Sequence, residues 1–123
     1  MMAVDFQIPA ALFGDDHSPY LSARLVADRL GVTLAELAKL IGVARNTLTA
    51  KSGARKVDSA LSKVVRILAM ASEMAGDEAR AVIWFKHQPI PGWAGKTAYD
   101  LVGEGKADKV LAYLEAIRAG VYA

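Results

Sequence analysis

The chain has 123 residues, 54% of them hydrophobic, and a formal net charge of only +2. That length suits one domain or two small packed ones with a real core. No run reaches the roughly twenty apolar residues that span a membrane, the N-terminus lacks the basic-then-apolar pattern of a secretory signal, and the absence of cysteine excludes a disulfide framework or a thiolate metal site. The expected compartment is the cytoplasm. Ala and Leu are abundant and strand-type alternation is scarce, so the expected fold class is all-α.

Residues 1–20 read as an irregular N-terminal arm. Pro9, Gly14 and Pro19 interrupt any long helix, and Asp5, Asp15 and Asp16 give the arm a charge of −3. Phe6, Ile8, Leu12 and Phe13 can lie on the core or on a second subunit. Asp15, Asp16 and His17 stand in a row, but no further ligands cluster near them. A loop leading into a helix cap is therefore the better reading, and no metal is assigned.

A first helix starts near Ser22 and ends at Gly31, with Leu21, Leu25, Val26 and Leu30 as its inner stripe. Thr33 then opens a second helix. Its hydroxyl can accept from a first-turn N–H while Glu36 reaches back to the Thr33 N–H, a capping box. Leu34, Leu37, Ala38 and Ile41 form the apolar face, and Gly42 supplies the left-handed stop. A third short helix, about 44–51, has Leu48 as its inward anchor and ends at Ser52 and Gly53.

This order resembles the helix-turn-helix of the Xre/phage-repressor type. Ala38 stands where a small residue lets the second helix approach, Gly42 makes the turn, and Val43 and Leu48 are the aliphatic anchors. The resemblance implies that the third helix enters the major groove of DNA. Its outward side chains would include Arg45, Asn46, Thr47, Thr49 and Lys51, with Arg55 and Lys56 in the loop beyond holding phosphates. Charge agrees with this. Residues 21–57 carry seven bases against two acids, and residues 44–57 carry four bases and no acid. The plainer reading is a helical hairpin with a solvated basic face.

Asp58 is expected to cap the longest helix, about 59–75. Leu61, Val64, Val65, Leu68 and Ala71 lie on one face of it, and Met70 and Met74 widen that face. The two methionines serve either the core or a contact with a second subunit. Gly76 ends this helix, and Asp77 caps the next, about 78–87, which carries Trp84 and Phe85. A loop follows with Pro89, Ile90, Pro91, Gly92, Trp93, Gly95 and Lys96. Thr97 and Asp100 box a short helix at 98–102. The last helix, about 107–119, has Val110, Leu111, Leu114 and Ile117 at helical spacing.

From Trp84 onward the pattern resembles the toxin-binding domain of the Xre/MbcA/ParS antitoxin family. The matching positions are Trp84, Pro89, Gly95, Thr97, Leu101, Gly105, Val110, Leu114, Ile117, Gly120 and Val121. Ala98 departs from the family's usual proline, and Trp93 from its usual aliphatic residue. The resemblance divides the chain into an arm (1–20), an Xre-like DNA-binding domain (21–76) and a toxin-binding domain (77–123). It implies a type II antitoxin that blocks a RES-domain, NAD-consuming toxin and represses its own operon. Its partners would be that toxin, operator DNA and a second copy of itself, with no cofactor and no membrane. The toxin-binding residues would be Trp93, Lys96, Arg118, Gly120, Val121, Tyr122 and Ala123, the last few entering the toxin's cleft; the plainer readings are that Trp93 packs in the core and that Val121 and Tyr122 fold back on it. Two other classes stay open: a helix-turn-helix regulator without a toxin, and an enzyme. No nucleophile–base pair or phosphate loop supports the enzyme.

Overall fold

The computed structural model describes residues 20–120, which are all-α. The arm residues 1–19, including Asp15, Asp16 and His17, and the tail residues Val121, Tyr122 and Ala123 lie outside the described residues. Seven α-helices follow one another among the described residues: α1 (Ala23–Leu30), α2 (Leu34–Ile41), α3 (Arg45–Thr49), α4 (Ala54–Ala75), α5 (Glu78–His87), α6 (Ala98–Gly103) and α7 (Ala107–Arg118). A 3-10 turn at Lys51–Gly53 links α3 to α4.

Helix starts follow local chemistry. Ser22 accepts from the Leu25 N–H, and Asp77 accepts from the Arg80 N–H at 2.7 Å. Thr33 with Glu36, and Thr97 with Asp100, both form complete capping boxes. Each such cap satisfies donors that the first helical turn cannot pair internally.

The start of α4 departs from expectation. The helix begins at Ala54, so Arg55 and Lys56 occupy its first turn rather than a loop. Asp58 is no cap; it sits inside α4, and its Oδ1 accepts the Leu21 N–H at 2.7 Å. That carboxylate serves the chain entering α1, a partner 37 residues away. The expected third helix is also shorter by two residues at its end, because Lys51 has already entered the 3-10 turn.

Helix α4 is the axis of the molecule. It packs against α1, α3, α5 and α7. Val57, Leu61, Val64, Val65, Ile67, Leu68 and Met70 are buried along it. One buried cluster runs from Leu21 to Leu114 and joins residues from all seven helices. Met70 is 1% exposed, so it belongs to the core and cannot flank a subunit contact; Met74, at 39%, remains accessible. In α2 the buried set is Leu37, Ala38 and Leu40, with Leu34 and Ile41 half-buried. Leu40 was not on the expected face. It is covered because α6 packs on α2, where Leu40 Cδ1 lies near Gly103.

Helix α5 ties α1 down from the other side. Lys86 Nζ donates to the Leu30 carbonyl at 3.2 Å, placing a cation at the C-terminal end of α1. Arg29 and Glu78 pair at 2.7 Å. No helix of the described residues is long and apolar enough to cross a membrane.

Candidate functional site

The first candidate surface is built on α2, the turn after it, and α3. Gly42 adopts φ 74, and the Val43 N–H returns to the Ala38 carbonyl at 3.0 Å, which closes α2 and redirects the chain. Leu48 is 5% exposed and anchors α3. Arg45, Asn46 and Thr49 are exposed, and together with Arg24 and Leu34 they line a groove of about 470 Å³. Arg24 is the residue that sequence reasoning missed. It lies on α1, 21 positions before Arg45, and only the packing of α1 and α3 on α4 brings the two together; its exposed place on α1 was the available signal.

Thr47 behaves differently from its neighbours. It is half-buried, and a Cβ built at Gly53 would lie 2.8 Å from both its Cγ2 and its carbonyl oxygen. Thr47 therefore packs against the 3-10 turn rather than pointing outward. Lys51 is exposed and borders a neighbouring groove with Arg24 and Thr49. Arg55 and Lys56 are exposed but line a different groove, shared with Lys63 and the α6–α7 turn. The seven residues expected to contact DNA thus fall into three groups: Arg45, Asn46, Thr49 and Lys51 around Arg24, Thr47 turned inward, and Arg55 with Lys56 around the edge of α4.

The second candidate surface is the loop between α5 and α6 with the turn it rests on. Ile90 is buried and anchors the loop, and its N–H donates to the Lys96 carbonyl at 2.8 Å. Pro89 and Thr97 form an isolated antiparallel bridge at its base. At the tip, Gly92, Ala94 and Gly95 all have positive φ, and Ala94, at φ 54, is the one non-glycine residue in this region among those described. Trp93 is half-buried and packs on the core, with Lys106 Nζ 5.5 Å from its ring centroid. Glu104 accepts from both Lys96, at 2.9 Å, and Lys106, at 3.3 Å. The Lys96 hydrogen bond, followed by that from Lys106, outweighs desolvation and holds the Glu104 carboxyl below its ordinary range.

This cluster fixes Trp93 but occupies Lys96, whose ammonium already has a carboxylate partner. Arg118 is exposed at the end of α7, and Gly120 follows at φ 84. Trp84 is half-buried at the edge of a small apolar hollow with Ala71, Met74 and Ile117. The Tyr99 ring meets Phe85 edge-on at 5.9 Å between centroids. Burial pushes the Tyr99 phenol up, assisted by the charges of Glu36 and Asp100.

Among the described residues no group of His, Asp or Glu could hold a metal ion. What these surfaces define is a small helical protein with an exposed, base-bordered groove beside α3 and a braced loop between α5 and α6. Residues 70–120 match the family described as the antitoxin Xre/MbcA/ParS C-terminal toxin-binding domain. The matched segment begins in the last turns of α4, spans the braced loop and ends at Gly120. It supports an antitoxin role with a toxin as partner. No curated protein and no solved structure matches the chain.

Proposed function

We propose that this protein is the antitoxin of a type II toxin–antitoxin system, that its target is a RES-domain, NAD-consuming toxin, and that it represses its own operon by binding DNA. The observation that carries the proposal is the toxin-binding match over residues 70–120. In this reading residues 77–123 hold the toxin, through the Trp93 loop and the segment from Arg118 to Ala123. Residues 21–76 bind operator DNA as an Xre-like helix-turn-helix. Arg45, Asn46 and Thr49 read the groove, with Lys51 and Arg24 on the backbone beside them and Arg55 and Lys56 contributing further along.

The DNA half of the proposal draws on charge and exposure. Every base in the acid-free stretch from 44 to 57 is exposed. Such a surface releases counterions when it meets phosphates. A homodimer in the cytoplasm would present two such helices to two half-sites. Met74 and Ile83 are the exposed large apolar residues among those described, and they offer surface for that contact.

Co-expression with a RES-domain toxin encoded beside the gene tests the reading. The antitoxin should co-purify with that toxin, restore growth and stop NAD consumption. Trp93→Ala should weaken all three without unfolding the protein. Growth arrest that persists despite a soluble, co-expressed chain would leave a helix-turn-helix regulator without a toxin as the better account.

A further inference from the structure

The groove beside Arg55 and Lys56 is more than a flank of the DNA-facing surface. It has a volume of about 620 Å³ and lies between the C-terminal end of α2, the start of α4 and the turn from α6 to α7. Ile41 and Ala60, both half-buried, contribute accessible apolar surface in front of the buried Leu40, Val102 and Ala107, while Arg55 and Lys56 stand on its α4 side. Neither cation has a carboxylate partner among the described residues, whereas Lys63, also at the groove, is paired with Asp108 at 3.3 Å. Ser52 and Ser59 add hydroxyls.

We infer that this groove binds a nucleotide-sized organic phosphate. The size falls within the ~300–1,000 Å³ of small-molecule sites, which also favour junctions between helices and combine apolar walls with a few convergent polar groups. A flat, apolar body fits against Ile41 and Ala60. A phosphate then meets Arg55 and Lys56, where a guanidinium can engage two oxygens at once. Bare DNA backbone would use the two cations and leave the apolar wall unused. An apolar peptide would use the wall and leave the cations unpaired. An organic phosphate uses both. Because α2 and α4 belong to the basic end and the α6–α7 turn to the matched toxin-binding segment, the ligand bridges the two functional ends.

Backbone-amide NMR on the purified full chain, without DNA or toxin, tests the assignment with ADP, AMP and inorganic pyrophosphate as probes. ADP should shift the amides of Val102, Gly105 and Ala107 together with those of Arg55 and Lys56, and should saturate by millimolar concentration. ADP should bind more tightly than pyrophosphate, which lacks the apolar body. Arg55→Glu with Lys56→Glu should weaken ADP about tenfold or more. Ala60→Phe fills the groove and keeps both cations; it should abolish ADP binding, and Ser59→Phe, at an exposed position, serves if the first variant does not fold. Pyrophosphate binding as well as ADP, shifts confined to α3, an unaffected groove-filling variant, or no saturation would each overturn the inference.

Discussion

The carboxylate of Asp58 accepts the backbone N–H of Leu21 at 2.7 Å, across 37 residues of sequence. Leu21 is 6% exposed, so this donor has little access to water. Asp58→Ala should leave it without a partner and destabilise the fold by about 1–3 kcal/mol. Asp58→Asn keeps an acceptor and should lose less. Urea unfolding of the two variants checks the order, and equal losses would show that the bond is not what Asp58 contributes.

Gly53 is required by space rather than by backbone conformation. A Cβ there would sit 2.8 Å from the Thr47 carbonyl oxygen and from Thr47 Cγ2. The carbonyl cannot rotate away without opening α3. Gly53→Ala should therefore cost about 1–3 kcal/mol and displace the end of α3. Thr47→Ser removes one of the two clashes, so it should recover only part of that loss when combined with Gly53→Ala. Thermal melts of the single and double variants measure the difference.

Ala94 offers the opposite case. Its left-handed φ of 54 costs an alanine about 1–2 kcal/mol. Glycine relieves that strain but gives back about 0.4–1 kcal/mol through the freer unfolded chain. The difference favours Ala94→Gly, which should raise stability by up to ~1.6 kcal/mol. A fall in the melting temperature would mean that the methyl group makes a contact outweighing the strain.

Operator binding should depend on Arg24 as well as Arg45, since both border the same groove with Asn46 and Thr49. Arg45→Ala should cost roughly 1–3 kcal/mol if it contacts a base edge. Arg24→Ala should weaken specific and nonspecific DNA alike and reduce the salt slope by about one. Gel-shift titrations at two salt concentrations separate the two effects. Undiminished affinity in the double variant would remove α3 as the reading helix.

Acid should loosen both ends of the molecule. The Thr33 N–H, then the Thr33 hydroxyl, hold the Glu36 carboxyl below its ordinary range, and the lysine pair does the same for Glu104. A depressed folded-state value means that the stabilisation is present above the unfolded value of about 4.3 and is lost as pH falls through the folded value. The melting temperature should decline on acidification below that point. Glu36→Gln with Glu104→Gln should flatten the decline, and an unchanged acid limb would assign it to other carboxylates.

Much of the architecture was legible because it rests on short-range chemistry. A Thr or Asp before an apolar period, a Glu or Asp three residues on, and a glycine at the end are local instructions. They placed α1, α2, α5 and α6 within a residue or two of their observed bounds. The same chemistry failed at Asp58, where a good cap residue sits inside a helix because its partner is the distant Leu21 N–H. Periodicity marked α2's inner face but not Leu40, whose burial depends on α6 arriving from sixty positions away. The basic stretch 44–57 was visible as composition, yet only packing divided it. It gathered Arg45, Asn46 and Thr49 around Arg24, turned Thr47 onto Gly53, and set Arg55 and Lys56 beside Val102 and Ala107. Where caps are fixed by neighbours within four residues, as at Thr33, Asp77 and Thr97, the sequence by itself determined them. Which charged side chains share a surface depends on how α1, α4 and α6 cross, and that was decided by the tertiary structure alone.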